Sequence, residues 1–230
     1  LMLVISNKVV FVTRKKDFLY KVVKFIFSKV LIIENGIKIT HPINKKSNKK
    51  KFLIGKSIRF VDQKKPELII DICNLYKKYL IKNNIIFTIA GDGPNFKKFN
   101  NLIQKNKLQN LIFLEGYLPE KKLMKWYRKL DLFLNLSNSE NLSVSILEAM
   151  SIPLPVIASK LKSNKVICKR IFYGQKPILL SINEPQQVFK KILKIYKNKN
   201  LSKKISKSAF KNVKLYYSSK RMSDQYLKLI

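Results

Sequence analysis

The chain is short of acid. Its 230 residues hold 13 Asp and Glu against 48 Lys and Arg, a formal net charge of +35 at pH 7. Cysteine is nearly absent. Cys73 and Cys168 stand far apart with no Cys-x-x-Cys pair, which excludes a disulfide framework and predicts two buried, reduced thiols in a reducing compartment. His41 is the only histidine and falls in a loop between Asn35-Gly36 and Pro42. One histidine without a cysteine pair leaves no ligand set for zinc, so no metal is expected, and no Ser-His-Asp triad can be built around it. No apolar run reaches the length of a transmembrane helix, and no signal peptide with a cleavage site is present.

Arginine is scarce too, and that bears on the partner. Such a charge first suggests nucleic acid. Yet only Arg14, Arg59, Arg128, Arg170 and Arg221 carry guanidinium groups, and the lysines are spread over nearly every predicted helix. Asn and Ile are abundant as well, and all three residues have AT-rich codons, so drift in base composition accounts for the balance. Zinc-finger spacing and the aromatic-basic pattern of RNA readers are both missing. No specific nucleic acid is expected. Lys15 to Lys29 interleaves Phe18, Leu19, Val22, Val23, Phe25 and Ile26 with five lysines. That stretch is either an ordinary packed helix or a basic amphipathic helix for an anionic bilayer surface.

What is present is a regular alternation of apolar runs and helical patterns. Val9 to Thr13 and Lys29 to Ile33 read as strands around a helix from Asp17 to Ser28, and Lys45 to Lys51 as a charged, solvated run. From Phe52 the reading is strand 52–60, helix 66–82, strand 85–90, helix 94–106, strand 111–114, helix 119–129, strand 131–136, helix 142–151 and strand 154–159. A strand from Lys176 to Ser181 and helices over 186–197, 201–217 and 220–229 follow. Continuous apolar strands belong to a parallel sheet covered on both faces. The expected fold class is therefore α/β: a doubly wound, Rossmann-like parallel sheet with ligands at the carboxyl ends of its strands.

The most informative segment is Ser137 to Met150. Two carboxylates, Glu140 and Glu148, bracket an uncharged run in a chain poor in acid. Ser137 and Ser139 are good helix caps, and Leu142, Ile146, Leu147 and Met150 fall at helical spacing. The expectation is a helix with Glu140 at its mouth, Glu148 two turns in, and free N–H groups near Asn141, Leu142 and Ser143 suited to phosphate. Other blocks precede it. Phe52 to Pro66 runs strand, Arg59, then Lys64-Lys65 before Pro66 opens a helix. Ile85 to Pro94 is a strand ending in Gly91-Asp92-Gly93-Pro94, Leu111 to Pro119 a strand ending in Gly116-Tyr117, and Trp126 to Ser137 a helix, Asp131 and a strand.

These ordered blocks resemble family four of the retaining glycosyltransferases, whose two-domain fold is of the GT-B type. The family's wording is close to Ser-x-x-Glu-x-Phe-Gly-x-x-x-x-Glu-Ala-Met. The resemblance implies transfer of a hexose-type sugar, with retention and without metal or other cofactor. The donor is a nucleoside-diphosphate sugar, and the acceptor a glycan or lipid-linked molecule in cell-surface polysaccharide synthesis. It puts Glu140 on the donor sugar as the catalytic carboxylate and Glu148 on the ribose; eight residues of helix span roughly 12 Å, about that separation. Arg59 and Lys64 fall on the diphosphate, with Lys65 one register away. Gly91 and Gly93 form the turn beside the donor, Tyr117 or the backbone around it meets the base, and Asn141, Leu142 and Ser143 present their amides. A cytoplasmic placement is implied, with room for a peripheral contact at the inner face of the plasma membrane.

The resemblance also divides the chain. Residues 1–34 read as a remnant of the amino-terminal acceptor domain, 35–51 as a linker, 52–217 as the nucleotide-sugar domain, and 218–230 as a terminal helix returning toward the amino-terminal domain. Leu1 fits a partial sequence or a broken reading frame. Three departures bear on activity. The family's Phe-Gly is here Leu142-Ser143, a helix-ending glycine is Pro153, and a Gly-Gly ahead of a Glu is replaced by Lys162 to Val166. An inactive donor-domain remnant or nucleotide-binding module is therefore the alternative expectation, ahead of a basic surface-binding protein.

Overall fold

A computed structural model describes residues 2–5, 8–11, 29–39 and 50–228. The expected helix over Asp17–Ser28, most of the basic stretch Lys15–Lys29, His41 and residues 45–49 of the charged run lie outside the described residues.

Nine strands are described, in two sheets. In the first sheet β1 (Met2–Ile5) pairs antiparallel with β2 (Lys8–Phe11), which pairs parallel with β3 (Lys29–Ile32). Strand β1 has no counterpart in the sequence reading; four residues give alternation too little length to register. The second sheet is fully parallel and holds β4 (Phe52–Ser57), β5 (Ile85–Ala90), β6 (Ile112–Gly116), β7 (Leu132–Asn135), β8 (Val156–Ser159) and β9 (Leu179–Ser181), in the order β6-β5-β4-β7-β8-β9. The order reverses between β4 and β7. Parallel strands must be joined by crossovers, and reversing their direction leaves a crevice at the carboxyl ends of those two strands.

The helices that make the crossovers are α1 (Glu67–Lys82), α2 (Phe96–Lys105), α3 (Glu120–Lys129), α4 (Val144–Ser151) and α5 (Lys162–Ile167). They are followed by α6 (Pro185–Lys197), α7 (Lys199–Tyr216) and α8 (Ser219–Leu227). Helix α5 was not expected; its Lys-Ser-Asn-Lys sequence carries little apolar signal, and only Asn164 and Ile167 of it are buried.

Two apolar cores cover the two faces of the sheet. Leu132, Leu134 and Ile157 point to one face, where they meet Ile69, Ile72 and Cys73 of α1 and Val188 and Ile192 of α6. Phe133, Val156 and Ala158 point to the other, against Trp126 and Tyr127 of α3, Leu147 and Met150 of α4, and Val213 of α7. Burial on both faces is why β5, β7 and β8 read as unbroken apolar runs. Edge strand β6 alternates instead, with Ile112 buried and Phe113 exposed. Each large apolar side chain taken fully out of water contributes roughly 1.5–3 kcal/mol. Tyr76 of α1 stacks on Phe189 of α6 at 3.7 Å between ring centroids, 13° from parallel, which adds about 0.5–1.5 kcal/mol. Both cysteines are free and buried, and burial raises both thiols, that of Cys168 to about 11.

Element ends differ from the sequence reading where the backbone leaves the regular pattern. Strand β4 stops at Ser57, after which Ile58 and Phe60 donate to Ala90 and Asp92 carbonyls at 2.9 and 3.0 Å. This ladder continues alongside the turn after β5. Gly91 sits there at φ +132°, and a Cβ on it would lie 1.7 Å from the Ile58 carbonyl oxygen. Only glycine permits that approach. Helix α4 begins at Val144, two residues later than expected, because Ser143 is extended at φ −73° and ψ 111°. It ends without a left-handed residue, through Leu154 N–H donating to Ala149 at 3.3 Å, so Pro153 is accommodated without a glycine.

Gly91→Ala is expected to lower the unfolding free energy by about 3 kcal/mol or more. Gly116→Ala, at φ +66° with nothing within 4 Å of its Cβ, should cost only about 1–2 kcal/mol. Urea denaturation of the two variants checks this; equal losses would contradict the close-approach argument.

Candidate functional site

The crevice between β4 and β7 is built from two loops. After β4 the chain passes exposed Arg59 and makes a single 3₁₀ turn, Asp62–Lys64. Lys65 then takes a left-handed conformation at φ 43°, and Pro66 caps α1 rather than forming its first turn. After β7 the chain runs through Ser137 to Ser143 before α4. The two loops are tied together: Asn138 N–H donates to the Gln63 carbonyl at 2.8 Å.

Across this tie lies an ion pair. The Lys64 Nζ stands 2.5 Å from Glu140 Oε1, the Glu140 side chain being nearly buried. Ser137 Oγ donates to the same carboxylate oxygen at 2.7 Å. Lys65 makes no such contact among the described residues, so the structure selects Lys64 of the two lysines as the one facing Glu140. Beneath them Lys56 of β4 is fully enclosed, 1% exposed, and its Nζ donates to the carbonyls of Lys64 at 2.5 Å and Leu136 at 2.7 Å. Burial first, then the adjacent Lys64 ammonium, lowers Lys56 to about 7, with Glu67 and Glu140 opposing.

Glu148 lies in a second cluster, one step back along α4. The Tyr127 hydroxyl donates to Glu148 Oε2 at 3.0 Å. Its single proton is then committed, so the 2.6 Å contact with Ser57 Oγ has Ser57 as donor. Burial raises the Glu148 carboxyl above its ordinary value, the Tyr127 hydrogen bond opposing and Glu120 reinforcing. Burial also lifts the Tyr127 phenol well above its usual value, with the neighbouring Glu148 adding to it. A carboxylate that accepts from the neutral Tyr127 hydroxyl has acceptor capacity left for a ligand hydroxyl.

The remaining predicted residues are placed unequally. Gly93 and Tyr117 line a cleft of about 440 Å³ with Asp92, Pro94, Phe96, Lys97 and Gly116, and Tyr117 is 75% exposed. Gly91 serves the turn behind that cleft. Arg59 is exposed and pairs with no carboxylate among the described residues. Asn141, Leu142 and Ser143 are not in the helix. The expected 12 Å helical separation of the carboxylates fails for the same reason, since Glu140 precedes α4 by four residues. The free amides of the helix end belong to Val144, Ser145 and Ile146. Ser143 is the N-cap, and its hydroxyl does not cap; it accepts from Asn135 Nδ2 at 3.0 Å and meets Ser145 Oγ at 2.9 Å. Ser137, expected as a cap, instead anchors Glu140, and its own N–H donates to Ser159 Oγ at 2.8 Å.

Sequence reasoning missed Lys56, Ser57 and Tyr127. A lysine inside the apolar run Phe52-Leu-Ile-Gly-Lys-Ser57 was the available signal for Lys56. Tyr127 was visible as part of a block, but nothing in its spacing pointed to Glu148.

Glu148 gives a pH test. Its folded-state pKa is raised, so its favourable contribution is present below the unfolded value of about 4.5 and is lost as pH rises through the folded value. Glu148→Gln keeps an acceptor for Tyr127 without charge. It should melt above wild type at pH 7, with the gap closing toward pH 4. A wild type more stable than the variant at pH 7 would contradict this.

The family model described as glycosyl transferases group 1 matches residues 38–212. The alpha-monoglucosyldiacylglycerol synthase of Acholeplasma laidlawii is 28% identical over 167 residues, covering 71% of this chain and 40% of the relative. The UDP-Gal:alpha-D-GlcNAc-diphosphoundecaprenol alpha-1,3-galactosyltransferase of Escherichia coli is 29% identical over 191 residues, covering 76% of this chain and 47% of the relative. This chain thus spans less than half the length of these curated relatives. Among solved structures, Staphylococcus aureus TarM in a complex containing UDP superposes with a TM-score of 0.79 at 24% identity, over 97% of this chain and 43% of TarM. That likeness carries the fold. With the matched family model covering the six-stranded sheet and both loops of its crevice, the chain belongs to the group 1 glycosyl transferases.

Proposed function

We propose that this chain supplies the donor site of a retaining glycosyltransferase, which moves a hexose-type sugar from a nucleoside-diphosphate sugar to a glycan or lipid-linked acceptor. The observation that carries the reading is the meeting of Lys64 and Glu140 at the switch point of a doubly wound sheet. Ligands of such sheets bind there.

The roles follow from charge and placement. Arg59 and Lys64 hold the diphosphate. Negative charge grows on it as the glycosidic bond breaks, and two fixed cations stabilise that charge without a metal. In the free protein Glu140 keeps Lys64 turned into the crevice; on binding, the phosphates compete for the ammonium and the Glu140 carboxylate turns to the sugar. Glu148 accepts from the ribose hydroxyls. The base lies in the cleft beside Gly93 and Tyr117. The amides of Asn141, Leu142 and Ser143, now in the loop, line the phosphate or sugar edge together with the helix-end amides of α4. The departing diphosphate takes the acceptor proton, and the sugar is delivered to the face it left.

The acceptor belongs to a part of the enzyme ahead of the parallel sheet. The division at 1–34, 35–51, 52–217 and 218–230 is supported by the return of the chain: Ile37 N–H donates to Tyr217 and Ser219 N–H to Ile37, each at 2.8 Å, just where α8 begins. The two relatives whose names specify diacylglycerol and undecaprenol compounds support a lipid-linked acceptor. A cytoplasmic enzyme meeting the membrane at its inner face would suit such an acceptor. No helix among the described residues is long and apolar enough to cross a membrane. The alternative of an inactive remnant loses one argument, because α4 ends without needing the glycine that Pro153 replaces.

Calorimetry with UDP, GDP and ADP tests the reading. The wild type should bind at least one of them, and Glu148→Ala should weaken it tenfold or more, about 1.4 kcal/mol. No binding to wild type, or equal binding to both proteins, overturns the donor site.

A further inference from the structure

Lys56 has no role in the site as described, and its burial needs a reason. It occupies an inward position of β4, between Ile54 and Ile58 in the same stripe, where an apolar side chain would pack at less cost. Its ammonium does not enter the crevice. It bonds two backbone carbonyls, those of Lys64 and Leu136. These carbonyls belong to the two loops that flank the switch point, one carrying Lys64 and the other leading to Glu140.

We propose that Lys56 is a positioning residue for the donor diphosphate: its ammonium ties the Lys64 turn to the end of β7 and so fixes Lys64 opposite Glu140 before the nucleotide arrives. This role rests on the donor-site reading above. The tie is at the root of both loops, one residue ahead of Ser137, which holds Glu140. A second tie, Asn138 N–H to Gln63, closes the same gap farther out. Without Lys56 the two carbonyls would be left facing an apolar side chain, and the turn carrying Lys64 would relax away from β7.

The position of the charge adds a consequence. The groups facing Lys56 are Lys64 from the turn, Glu67 from α1 and Glu140 from the β7 loop. Near pH 7 the ammonium is partly deprotonated in the free protein. A bound diphosphate favours its charged form. Nucleotide binding then takes up a proton at Lys56, and affinity falls as pH rises from 7 to 9, above the range where a phosphate itself titrates near pH 6.

Lys56→Met removes the ammonium and keeps the length of the side chain. A purely structural lysine would cost stability when removed. The positioning role requires more than that loss: the folded variant binds UDP at least tenfold more weakly at pH 7, with an affinity that stays flat from pH 7 to 9 where the wild type declines. Should Lys56→Met fail to fold, Lys56→Gln carries the test, since its amide offers two donors without charge. It should bind with intermediate affinity and a flat pH profile. UDP affinity within twofold of wild type in the folded variant, or a wild-type pH slope in Lys56→Gln, overturns the proposal. A wild type that binds no UDP overturns the donor-site reading itself, a result distinct from either.

Discussion

The structure depends on the pairing of β4 with β7. Only Ile54 with Leu132 and Gly55 with Phe133 form it, yet it joins two halves of the sheet whose crossovers run in opposite directions. Beside it Gly55 leaves room on the sheet face for Leu130 and Trp126: a Cβ there would lie 2.1 Å from Leu130 Cδ1 and 2.9 Å from the Trp126 ring. Asp131 secures the lower end, accepting from Leu53 N–H at 2.9 Å through its carboxylate while its own N–H donates to Leu53 at 2.8 Å. With the strands fixed side by side, their carboxyl-end loops open onto one crevice, and the Lys64 turn faces the Glu140 loop.

Charge is used sparingly within that frame. A chain with 13 acids spends two of them here. Glu140 sits against a lysine, and its attraction offsets the cost of holding a cation near a buried ammonium. Glu148 sits against the neutral Tyr127 hydroxyl, where burial favours its protonated form. The two carboxylates therefore differ in character although they share one segment. Many of the surrounding lysines, such as Lys97, Lys98, Lys190 and Lys194, lie exposed on helices away from these two carboxylates.

Much of this was legible in the sequence. Unbroken apolar runs such as Ile85 to Ala90 announced a parallel sheet, because a strand buried on both faces has no polar side to show. The glycine at 91 was visible from the turn signal around it, and the lysine at 64 only through the resemblance, with Lys65 one register away. The start of α4 was not. Ser137 carries the side chain of a helix cap, but its hydroxyl goes to Glu140 and its N–H to the end of β8, and the loop that follows depends on contacts with residues far away in sequence. The Tyr127–Glu148 bond and the Lys56 ties were hidden for the same reason: each joins positions 21 to 80 residues apart, or crosses from a strand into a turn whose shape only the fold determines.

Hydrogen exchange with and without saturating UDP tests the central claim most directly, that the paired carboxyl ends of β4 and β7 form the donor site. The account predicts slowed exchange concentrated in residues 57–66, 91–93 and 136–148. Protection spread over the lysine-rich helices α6 and α7, with these three segments unchanged, would contradict it.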